Sequence, residues 1–369
     1  MTENPKKVCH VTTVHKCDDT RIFLKECLSL ADFYKVYLVY LGEKVRHDKV
    51  NLISAGKSQN SRLKRFSKGI VDIYSAAIKI NADIYHLHDP ELLLVGLLLK
   101  LHGKKVLYDA HEDLPRQILT KPWIKKPIRK CIATLTELFE DTAVKFFDGI
   151  IAATSHIAKR FAKNNAKVVT INNYPLLHEL RTDVSIPWQE KEPQVCYVGG
   201  ITYIRGICEC VAAISKTNVK LGLAGTFESK RLHDAVAGLN GWTHVNKLGQ
   251  LDREAVKLLL AKSIAGLVLF HSAPNHVFAQ PNKMFEYMSA GIPVIASDFP
   301  LWKEFIEGNR CGICVDPLNP DEIADAIKWI VEHPAEAEEM GNNGRRAVEH
   351  IYNWNIEKEK LFTFYEKLI

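Results

Sequence analysis

The chain has 369 residues, of which 47% are hydrophobic and 25% are charged, and its formal net charge is +6. This composition is typical of a folded protein and argues against disorder, and the length allows two domains with separate cores. Residues 1–7 lack the pattern of a signal peptide, and the longest strongly apolar run, 92–101, is about half of what a membrane-spanning helix needs.

The cysteines are irregularly spaced and odd in number, which favours reduced thiols in the cytosol over a disulfide framework. Cys311 and Cys314 form a single C-x-x-C within an alternating strand pattern. Zinc sites built from such pairs normally use a second pair, so this one predicts no metal site. We therefore expect a cytoplasmic protein.

Short apolar runs alternate with helical patterns through the first half of the chain, which predicts a doubly wound parallel sheet. In such sheets ligands bind beyond the carboxyl ends of the strands, so the residues that follow each strand are the candidates for a site. The predicted strands of this half are 8–14, 36–41, 51–55, 84–87, 105–108, 149–153 and 168–172.

Arg21 follows the first predicted strand and lies where a helix should begin, because Asp19 or Thr20 is a suitable N-cap. A cation in the first helical turn is unfavourable against the helix dipole. A residue placed against its local preference suggests an anionic partner. The pattern therefore predicts that Arg21 contacts a phosphate group of a ligand, with a salt bridge to Asp18 or Asp19 as the alternative.

The fourth predicted strand carries His86 and His88 on the same face, and His88 stands at the strand end. A histidine in that position can donate a hydrogen bond to a sugar hydroxyl or a phosphate. The alternative is a hydrogen-bonded structural histidine. Asp89 and Pro90 then open a helix that is apolar nearly all round, which predicts a buried helix.

Three titratable residues, His111, Glu112 and Asp113, follow the fifth predicted strand. Burying such side chains costs free energy unless they are solvated or contact a ligand. The segment 121–130 comes next and mixes basic residues with Trp123 and Ile128, without any acid. This mixture suits an anionic lipid surface, and a solvated face is the alternative. No nucleic-acid-binding motif accompanies the charge, so we expect no nucleic-acid partner.

A polar stretch, 179–192, has the composition of a linker between two domains. The strand predicted at 195–198 ends in Gly199 and Gly200, and a glycine pair lets the backbone approach a ligand closely. Arg205 follows within reach of the same ligand, and its guanidinium suits phosphate oxygens. Further strands are predicted at 219–223, 244–248 and 266–270.

The segment 280–297 has the pattern of a loop, a helix, a tight turn and a buried strand. Pro281 suits the first helical turn, and Gly291 suits the left-handed stop of the helix. The helix start has free N–H groups for an anion, and the carboxylate of Glu286 can accept hydrogen bonds from sugar hydroxyls. A ligand with both phosphate and sugar, such as a nucleotide sugar, fits this combination.

The segment 280–297 resembles the donor-site helix of the retaining GT-B glycosyltransferases of family four, in particular the bacterial enzymes that build O-antigen, capsule and exopolysaccharide. Glu286 matches the second acid of the E-x7-E pair of that family, but Phe278 stands where the first acid is expected. The sequence QPNK at 280–283 is similar to a variant found in polysaccharide-assembly members. The resemblance extends over nearly the whole chain.

The resemblance implies the GT-B fold, which consists of two doubly wound, Rossmann-like α/β domains facing across a cleft. It implies an acceptor-side domain over residues 1–183 and a nucleotide-sugar-binding domain over residues 184–350. It also implies that a C-terminal helix, 351–369, crosses back to the first domain.

The resemblance also implies roles for individual residues. The catalytic candidates are His88, near the donor sugar and β-phosphate, and Glu112 and Asp113, on the acceptor hydroxyl. The candidates for binding the donor diphosphate and sugar are Arg21, Gly199, Gly200, Arg205, Gln280, Asn282 and Lys283. The candidates for binding the ribose and base are Gly249, Leu251 and Glu286. No D-x-D motif stands in a suitable strand-end loop, so we expect neither a metal ion nor a cofactor.

These features predict a retaining, metal-independent transfer of a hexose-type sugar from a UDP- or GDP-linked donor, with UDP favoured. The predicted acceptor is a hydroxyl of a lipid-linked saccharide in bacterial surface polysaccharide biosynthesis. The enzyme is expected in the cytoplasm, peripheral on the inner face of the cell membrane through residues 121–130. Two alternatives stay open: a nucleotide-sugar 2-epimerase, which shares the architecture, and a non-catalytic sugar-nucleotide binding protein, which Phe278 and Gly200 make conceivable.

Overall fold

The computed structural model describes residues 5–57, 65–121, 123–177, 179–180 and 186–368. The chain divides into two compact units, Met1–Asn173 with Asn355–Ile369, and Tyr174–Trp354. The predicted boundary at residue 183 falls within 181–185, which lie outside the described residues. Tyr174 and Leu180 are buried in a core cluster of the second unit together with Phe285, so this unit begins before the predicted boundary.

The described part of the first unit contains a seven-stranded parallel sheet with the order β3-β2-β1-β4-β5-β6-β7. The order reverses between β1 and β4, and ligands of such open sheets bind beyond the carboxyl ends of the strands at such a point. The strands are β1 Lys7–Val11, β2 Lys35–Tyr40, β3 Asn51–Ser54, β4 Ile84–Leu87, β5 Lys105–Ala110, β6 Gly149–Ala152 and β7 Val168–Thr170.

The described part of the second unit contains a six-stranded parallel sheet with the order β10-β9-β8-β11-β12-β13. Its order reverses between β8 and β11. The strands are β8 Gln194–Val198, β9 Lys220–Ala224, β10 Val245–Gly249, β11 Ala265–Val268, β12 Val294–Ser297 and β13 Gly312–Val315. The two parallel sheets confirm the predicted fold class.

Helices cover both faces of each sheet, and β4, β6, β11 and β12 are buried at every residue, as parallel sheets of this kind require. The α-helices of the first unit include Ile70–Ile80, Leu93–Leu101, Leu114–Leu119, Lys126–Ala143 and Ser155–Phe161. A π-helical segment, Thr20–Cys27, precedes the short helix Leu28–Leu30. The helices of the second unit include Ile207–Ile214, Lys230–Ala237, Arg253–Lys262, Asn282–Ala290, Pro300–Ile306, Pro320–Glu332 and Pro334–His350.

The last helix, Trp354–Glu366, contributes its residues from Asn355 onwards to the first unit. Its Glu357 carboxylate accepts a hydrogen bond of 2.8 Å from the backbone N–H of Asn172, and the Tyr365 hydroxyl lies 2.8 Å from Nδ1 of His86. Both contacts are buried. The C-terminal segment therefore completes the core of the first unit.

The helix Asn282–Ala290 has the local design that the sequence predicts. Pro281 precedes it, and Gly291 ends it with a φ of 74°. Met284, Phe285 and Met288 are buried. Tyr287 is buried as well, because Gly266 on β11 has no side chain: a Cβ there would lie 2.1 Å from the Tyr287 ring. The helix therefore packs directly against the centre of the sheet.

The helix Leu93–Leu101 is not buried all round, contrary to the prediction. Leu94, Leu98 and Leu101 are exposed by 54%, 43% and 83%. These three residues are spaced at one face of a helix, and the sheet covers only the opposite face. A helix that is apolar on every side thus leaves an apolar row on the surface. In the part of the chain that the structure describes, no helix has the length and hydropathy needed to cross a bilayer.

Candidate active site

The carboxyl edge of the second sheet has an open backbone at Gly199, directly after β8. Gly199 has a φ of 119°, in the region that favours glycine, and a Cβ there would lie 3.7 Å from Cε of Lys283. Gly225, after the neighbouring β9, packs so closely that a Cβ on it would lie 1.9 Å from the Gly199 carbonyl oxygen. At this edge, backbone without side chains therefore lies next to the Lys283 side chain.

Lys283 is a buried cation, and its Nζ has no hydrogen-bond partner among the described residues. Nζ lies 3.6 Å from the centre of the Tyr197 ring and 5.6 Å from that of Phe270. Burial, followed by repulsion from Arg205, lowers the pKa of Lys283 to about 7. An anion bound beside Nζ would favour the protonated amine and so counteract the effects of burial and of Arg205 on the pKa.

Arg205 faces the same edge from the turn after β8. Its guanidinium carbon lies 5.3 Å from the centre of the Phe270 ring, and Nη1 lies 3.4 Å from the Gly200 carbonyl oxygen. Within the described ranges, neither Arg205 nor Lys283 forms an ion pair with a carboxylate. Two cations without a counter-ion beside Gly199 and Gly200 form an anion-binding arrangement.

Glu286 of the same helix is held by a cation that the sequence reasoning missed. Arg253 Nη1 lies 2.9 Å from Glu286 Oε1, and Arg253 Nε lies 2.7 Å from Glu179 Oε1. The signal in the sequence is the one noted for Arg21, because Arg253 is a cation in a first helical turn, behind the N-cap Asp252. The arrangement fixes the direction of the Glu286 carboxylate.

The remaining candidates of this unit lie in loops at or near the same edge. The buried Oε1 of Gln280 has no hydrogen-bond partner among the described residues, and Asn282 is exposed at the first position of its helix. The Gly249 carbonyl accepts a 2.7 Å hydrogen bond from the Gly225 N–H, which links the end of β10 to the glycine edge. Leu251 is half-buried against the Phe285 cluster. Their roles in binding a ribose or base stay predictions.

Among the described residues of this unit, buried polar atoms that make no hydrogen bond of good geometry concentrate in the segments 202–209 and 271–283. Burying such atoms without hydrogen bonds costs free energy, so each needs an explanation. A polar ligand that binds in these loops would supply the missing partners. Within the described residues, the atoms are Thr202 Oγ1, Glu209 Oε2, His271 Nε2, Asn275 Oδ1, Gln280 Oε1 and Lys283 Nζ.

His88, at the end of β4 in the first unit, is a buried and fully engaged histidine. Its Nε2 lies 2.8 Å from His10 Nδ1, and its Nδ1 lies 3.3 Å from His111 Nε2 and 3.4 Å from Asp109 Oδ2. Burial lowers the pKa of His88 to about 4, so the ring is neutral near pH 7. This environment fits the alternative interpretation of His88 as a hydrogen-bonded structural histidine. A direct contact of His88 with the donor stays a prediction.

Arg21 requires a correction, because its guanidinium is committed to the interior of the first unit. Nη2 and Nε lie 2.8 and 3.0 Å from the two carboxylate oxygens of Asp109, and Nη1 donates to the Ile171 carbonyl oxygen at 3.0 Å. Nε is also 3.2 Å from Glu26 Oε1. The anionic partner is therefore a buried aspartate at the end of β5 and not a phosphate.

The alternative partners proposed for Arg21 are also wrong. Asp19 caps the helix by accepting hydrogen bonds of 2.9 Å from the N–H groups of Arg21 and Ile22, as expected of an N-cap. Its other oxygen pairs with His15 at 3.0 Å.

Glu112 and Asp113, although adjacent, lie in different environments. Glu112 is exposed and accepts a hydrogen bond from Gln117. Asp113 is buried, with Arg116, His156 and Arg160 each 3.6 Å away from its carboxylate. Asp113 is therefore balanced by cations within the unit, while Glu112 is open to a further partner.

Residues 180–347 match the family model described as glycosyl transferases group 1. The D-rhamnosyltransferase WbpZ of Pseudomonas aeruginosa PAO1 is 25% identical over 278 residues, which are 73% of this chain and 68% of that protein.

Two solved structures have a similar fold. Sucrose-phosphate synthase from Thermosynechococcus elongatus superposes with a TM-score of 0.78 at 19% identity, over 98% of this chain and 99% of that chain. Anabaena Alr3699/HepE, in complex with UDP, superposes with a TM-score of 0.73 at 15% identity, over 98% of this chain and 100% of that chain. The two parallel sheets and these superpositions show the GT-B fold. The group 1 match and the rhamnosyltransferase relative support a glycosyltransferase.

Proposed function

We propose that this glycosyltransferase moves a hexose-type sugar, with retention of anomeric configuration, from a nucleoside-diphosphate donor to a hydroxyl of a lipid-linked saccharide. The pathway proposed is the assembly of bacterial surface polysaccharide such as O-antigen or capsule. The observation that carries the proposal is the pair of cations, Arg205 and Lys283, which lie beside Gly199 and Gly200 and have no counter-ion among the residues that the structure describes.

The chemistry of the reaction explains what these cations do. Breaking the glycosidic bond leaves negative charge on the nucleoside diphosphate, and groups already in place to receive that charge lower the barrier. The Arg205 guanidinium can bind two phosphate oxygens at once, and Lys283 adds a point charge from a dry environment. Because the protein supplies two cations, the proposed leaving-group stabilisation requires no metal ion.

The nucleotide half of the donor has a matching set of groups. Glu286, oriented by Arg253, offers a carboxylate to the ribose hydroxyls. Gly249, which the Gly225 N–H ties to the glycine edge, is the proposed backbone contact of the base. We favour UDP over GDP, and the UDP complex of the Anabaena relative is consistent with that choice. Glu112 is the group proposed to meet the acceptor hydroxyl, since Asp113 is buried beside Arg116 and Arg160.

A lipid-linked acceptor suits the surface of the first unit. The basic segment 121–130 runs into the helix Lys126–Ala143, whose exposed side includes large apolar residues. This helix also contacts Leu93–Leu101, with its own exposed apolar row. Positive charge next to exposed apolar side chains favours an anionic membrane surface, so we propose peripheral attachment there. The exposed apolar residues of the longer helix are Ile128, Ile132, Leu135, Leu138 and Phe139.

Donor turnover with and without a lipid-linked acceptor tests the proposal. The full chain is incubated with UDP- and GDP-sugars, and the release of nucleoside diphosphate and the fate of the sugar are followed. We expect rapid release only when an acceptor is present, with the sugar in the lipid fraction. A new hexose or nucleotide sugar formed without acceptor would instead identify an epimerase, and binding without turnover under all conditions would identify a binding protein.

A further inference from the structure

The loops around Arg205 contain an acid–histidine pair that none of the roles above uses. Glu209 lies in the first turn of the helix Ile207–Ile214, and His271 lies beyond the end of β11. Glu209 Oε2 and His271 Nε2 are 3.1 Å apart. Both atoms are buried, and neither has a hydrogen-bond partner of good geometry among the described residues. Each atom can therefore gain a hydrogen bond, either from a ligand or from a small shift of the other side chain.

The pair is fixed to the same junction as the cation site. The His271 N–H donates a 2.9 Å hydrogen bond to the Ile204 carbonyl oxygen, and the Tyr203 ring packs edge-on against the His271 ring at 5.1 Å. Gly206, with a φ of 70°, permits this contact, because a Cβ there would lie 2.0 Å from the Leu269 carbonyl oxygen. The neighbouring residue, Phe270, is the ring that both cations face.

The Glu209 side chain is the member of the pair considered as a hydrogen-bond acceptor for a ligand. The Glu209 side chain is 14% exposed although its Oε2 is buried, so the exposed portion includes other atoms of that side chain. A carboxylate held through one oxygen can accept hydrogen bonds with the other, and an ionised carboxylate only accepts. Sugar hydroxyls are donors of suitable strength for such an acceptor.

The residues at and near position 278, where the first acid of the E-x7-E pair is expected, cannot offer a carboxylate to a sugar. Phe278 has no polar group and is 47% exposed. The nearby His276 is buried, and its Nδ1 lies 3.0 Å from the His271 carbonyl oxygen, where it supports the His271 loop. A carboxylate at the junction of the 203–206 turn and the His271 loop is thus available from Glu209 and not from residue 278.

We propose that Glu209, oriented by His271, binds hydroxyl groups of the donor sugar and thereby supplies the acid that is missing at position 278. This assignment rests on the proposed function, because it requires a nucleotide-sugar donor at Arg205 and Lys283. Glu209 is a sugar-binding residue, and His271 is a positioning residue. The ligand class is the hexose moiety of a nucleoside-diphosphate sugar.

Calorimetric binding of matched ligands to the full chain tests the assignment. UDP and GDP are compared with UDP-glucose, UDP-N-acetylglucosamine and GDP-mannose, and the measured quantity is the dissociation constant of the free nucleotide divided by that of its sugar conjugate. In Glu209→Gln we expect that ratio to fall by about tenfold, the usual effect of losing a charged hydrogen bond. The affinity for UDP or GDP itself should change less than about twofold, since the cations are untouched.

Three further variants separate binding from structure. His271→Gln should lower the same ratio by less than Glu209→Gln, and the double variant should be no worse than Glu209→Gln alone, because His271 acts through Glu209. Glu254→Gln, at an exposed acid in the first turn of the helix Arg253–Lys262, is the matched control and should leave both affinities unchanged.

Equal losses of affinity for UDP and UDP-glucose in Glu209→Gln would overturn the assignment. They would mean that Glu209 acts on the diphosphate or on the stability of the fold. An unchanged ratio, or a wild type that binds every sugar conjugate no better than its nucleotide, would also overturn it. Absence of any nucleotide binding by the wild type is a different failure, which would refute the proposed function first.

Discussion

Lys283 is the residue whose chemistry is most sensitive to the bound ligand. Its pKa is lowered to about 7 in the free protein by burial and by Arg205. A bound diphosphate favours the protonated amine and so raises that pKa, which means that binding takes up a proton at pH values above about 7. Affinity should therefore decline as the pH rises from 7 to 9.

Calorimetry in buffers of different ionisation enthalpy measures this proton uptake directly. Wild-type protein should take up a fraction of a proton at pH 8, and Lys283→Arg should take up none, because arginine stays charged. UDP itself adds little to this signal, since its phosphates are ionised above pH 7. Equal proton uptake by the wild type and Lys283→Arg would show that Lys283 does not titrate on binding.

Arg21 gives a stability prediction at the same scale. Asp109→Asn would leave the Arg21 guanidinium buried beside Glu26 without its bidentate partner. Removing one member of a buried ion pair costs about 3–5 kcal/mol, so the free energy of unfolding should fall by roughly that amount. Asp32→Asn, which removes the exposed ion pair with Lys49, should cost less than about 1 kcal/mol. Similar losses in the two variants would contradict the structural role of Arg21.

Arg21 also marks the limit of sequence reasoning for a single residue. Its position at a helix start predicted an anionic partner, and that partner exists. The sequence could not identify Asp109, because the pairing depends on β1 and β5 being separated by β4 in the sheet. The pair Glu209–His271 escaped notice for the same reason, since its two residues meet only through the packing of the 203–206 turn against β11.

At the scale of elements, the exposed apolar face of the helix Lys126–Ala143 predicts membrane binding. Leu135→Ser with Leu138→Ser should weaken sedimentation of the full chain with anionic lipid vesicles by at least several-fold, because both side chains are more than half exposed. Leu318→Ser is the matched control, at an exposed leucine of the second unit.

The basic end of the same helix adds an electrostatic contribution that is screened by salt. Binding to anionic vesicles should therefore decline as the salt concentration rises, and binding to neutral vesicles should be weak at any salt concentration. Equal binding to anionic and neutral vesicles, or no effect of the two leucine substitutions, would contradict attachment through this surface.

The elements show which patterns can be read from sequence alone. Strands and capped helices were predictable because local residues decide them, as Pro281 and Gly291 do for the helix Asn282–Ala290. The orientation of Leu93–Leu101 was not predictable, because a helix that is apolar on every side carries no stripe to show which face meets the sheet. Its exposed row became visible only once the packing partner was known.

At the scale of the whole molecule, the buried histidines predict a loss of stability in mild acid. Burial lowers the pKa of His88 to about 4 and lowers the pKa values of His10 and His86 well below 6.5. The unfolded chain therefore binds up to three protons that the folded chain rejects as the pH falls from 6.5 towards 4. Burial raises the pKa of Glu26, so the folded chain holds one proton there, which offsets one of the three.

The net difference of about two protons corresponds to roughly 2–3 kcal/mol of lost stability per pH unit between pH 6 and pH 5. Chemical denaturation at several pH values measures it. Glu26→Gln cannot titrate, so its stability should fall more steeply with acidification than that of the wild type. A free energy of unfolding that stays constant from pH 6.5 to 4.5 would contradict the neutral state of these histidines.

The alternation of strands and helices was sufficient to predict a parallel α/β unit in the first half of the chain, since that pattern has few compact solutions. The second such unit was implied by the resemblance to the GT-B family. The boundary between the two units was harder to predict, because Tyr174 and Leu180 belong to the core of the second unit although they lie in or next to a polar stretch. Composition shifts indicate linkers, but burial decides to which unit a residue belongs.

The measurement that tests the central claim most directly is thermal stabilisation of the full chain by nucleoside diphosphates. A ligand that binds only the folded state at a hundred times its dissociation constant stabilises it by about 2.7 kcal/mol. We predict a rise in melting temperature with UDP, or with GDP, that is lost in Arg205→Ala and retained in Arg231→Ala, at an exposed arginine of the same unit. No shift with any nucleotide, or the same shift in both variants, would contradict a donor site at Arg205 and Lys283.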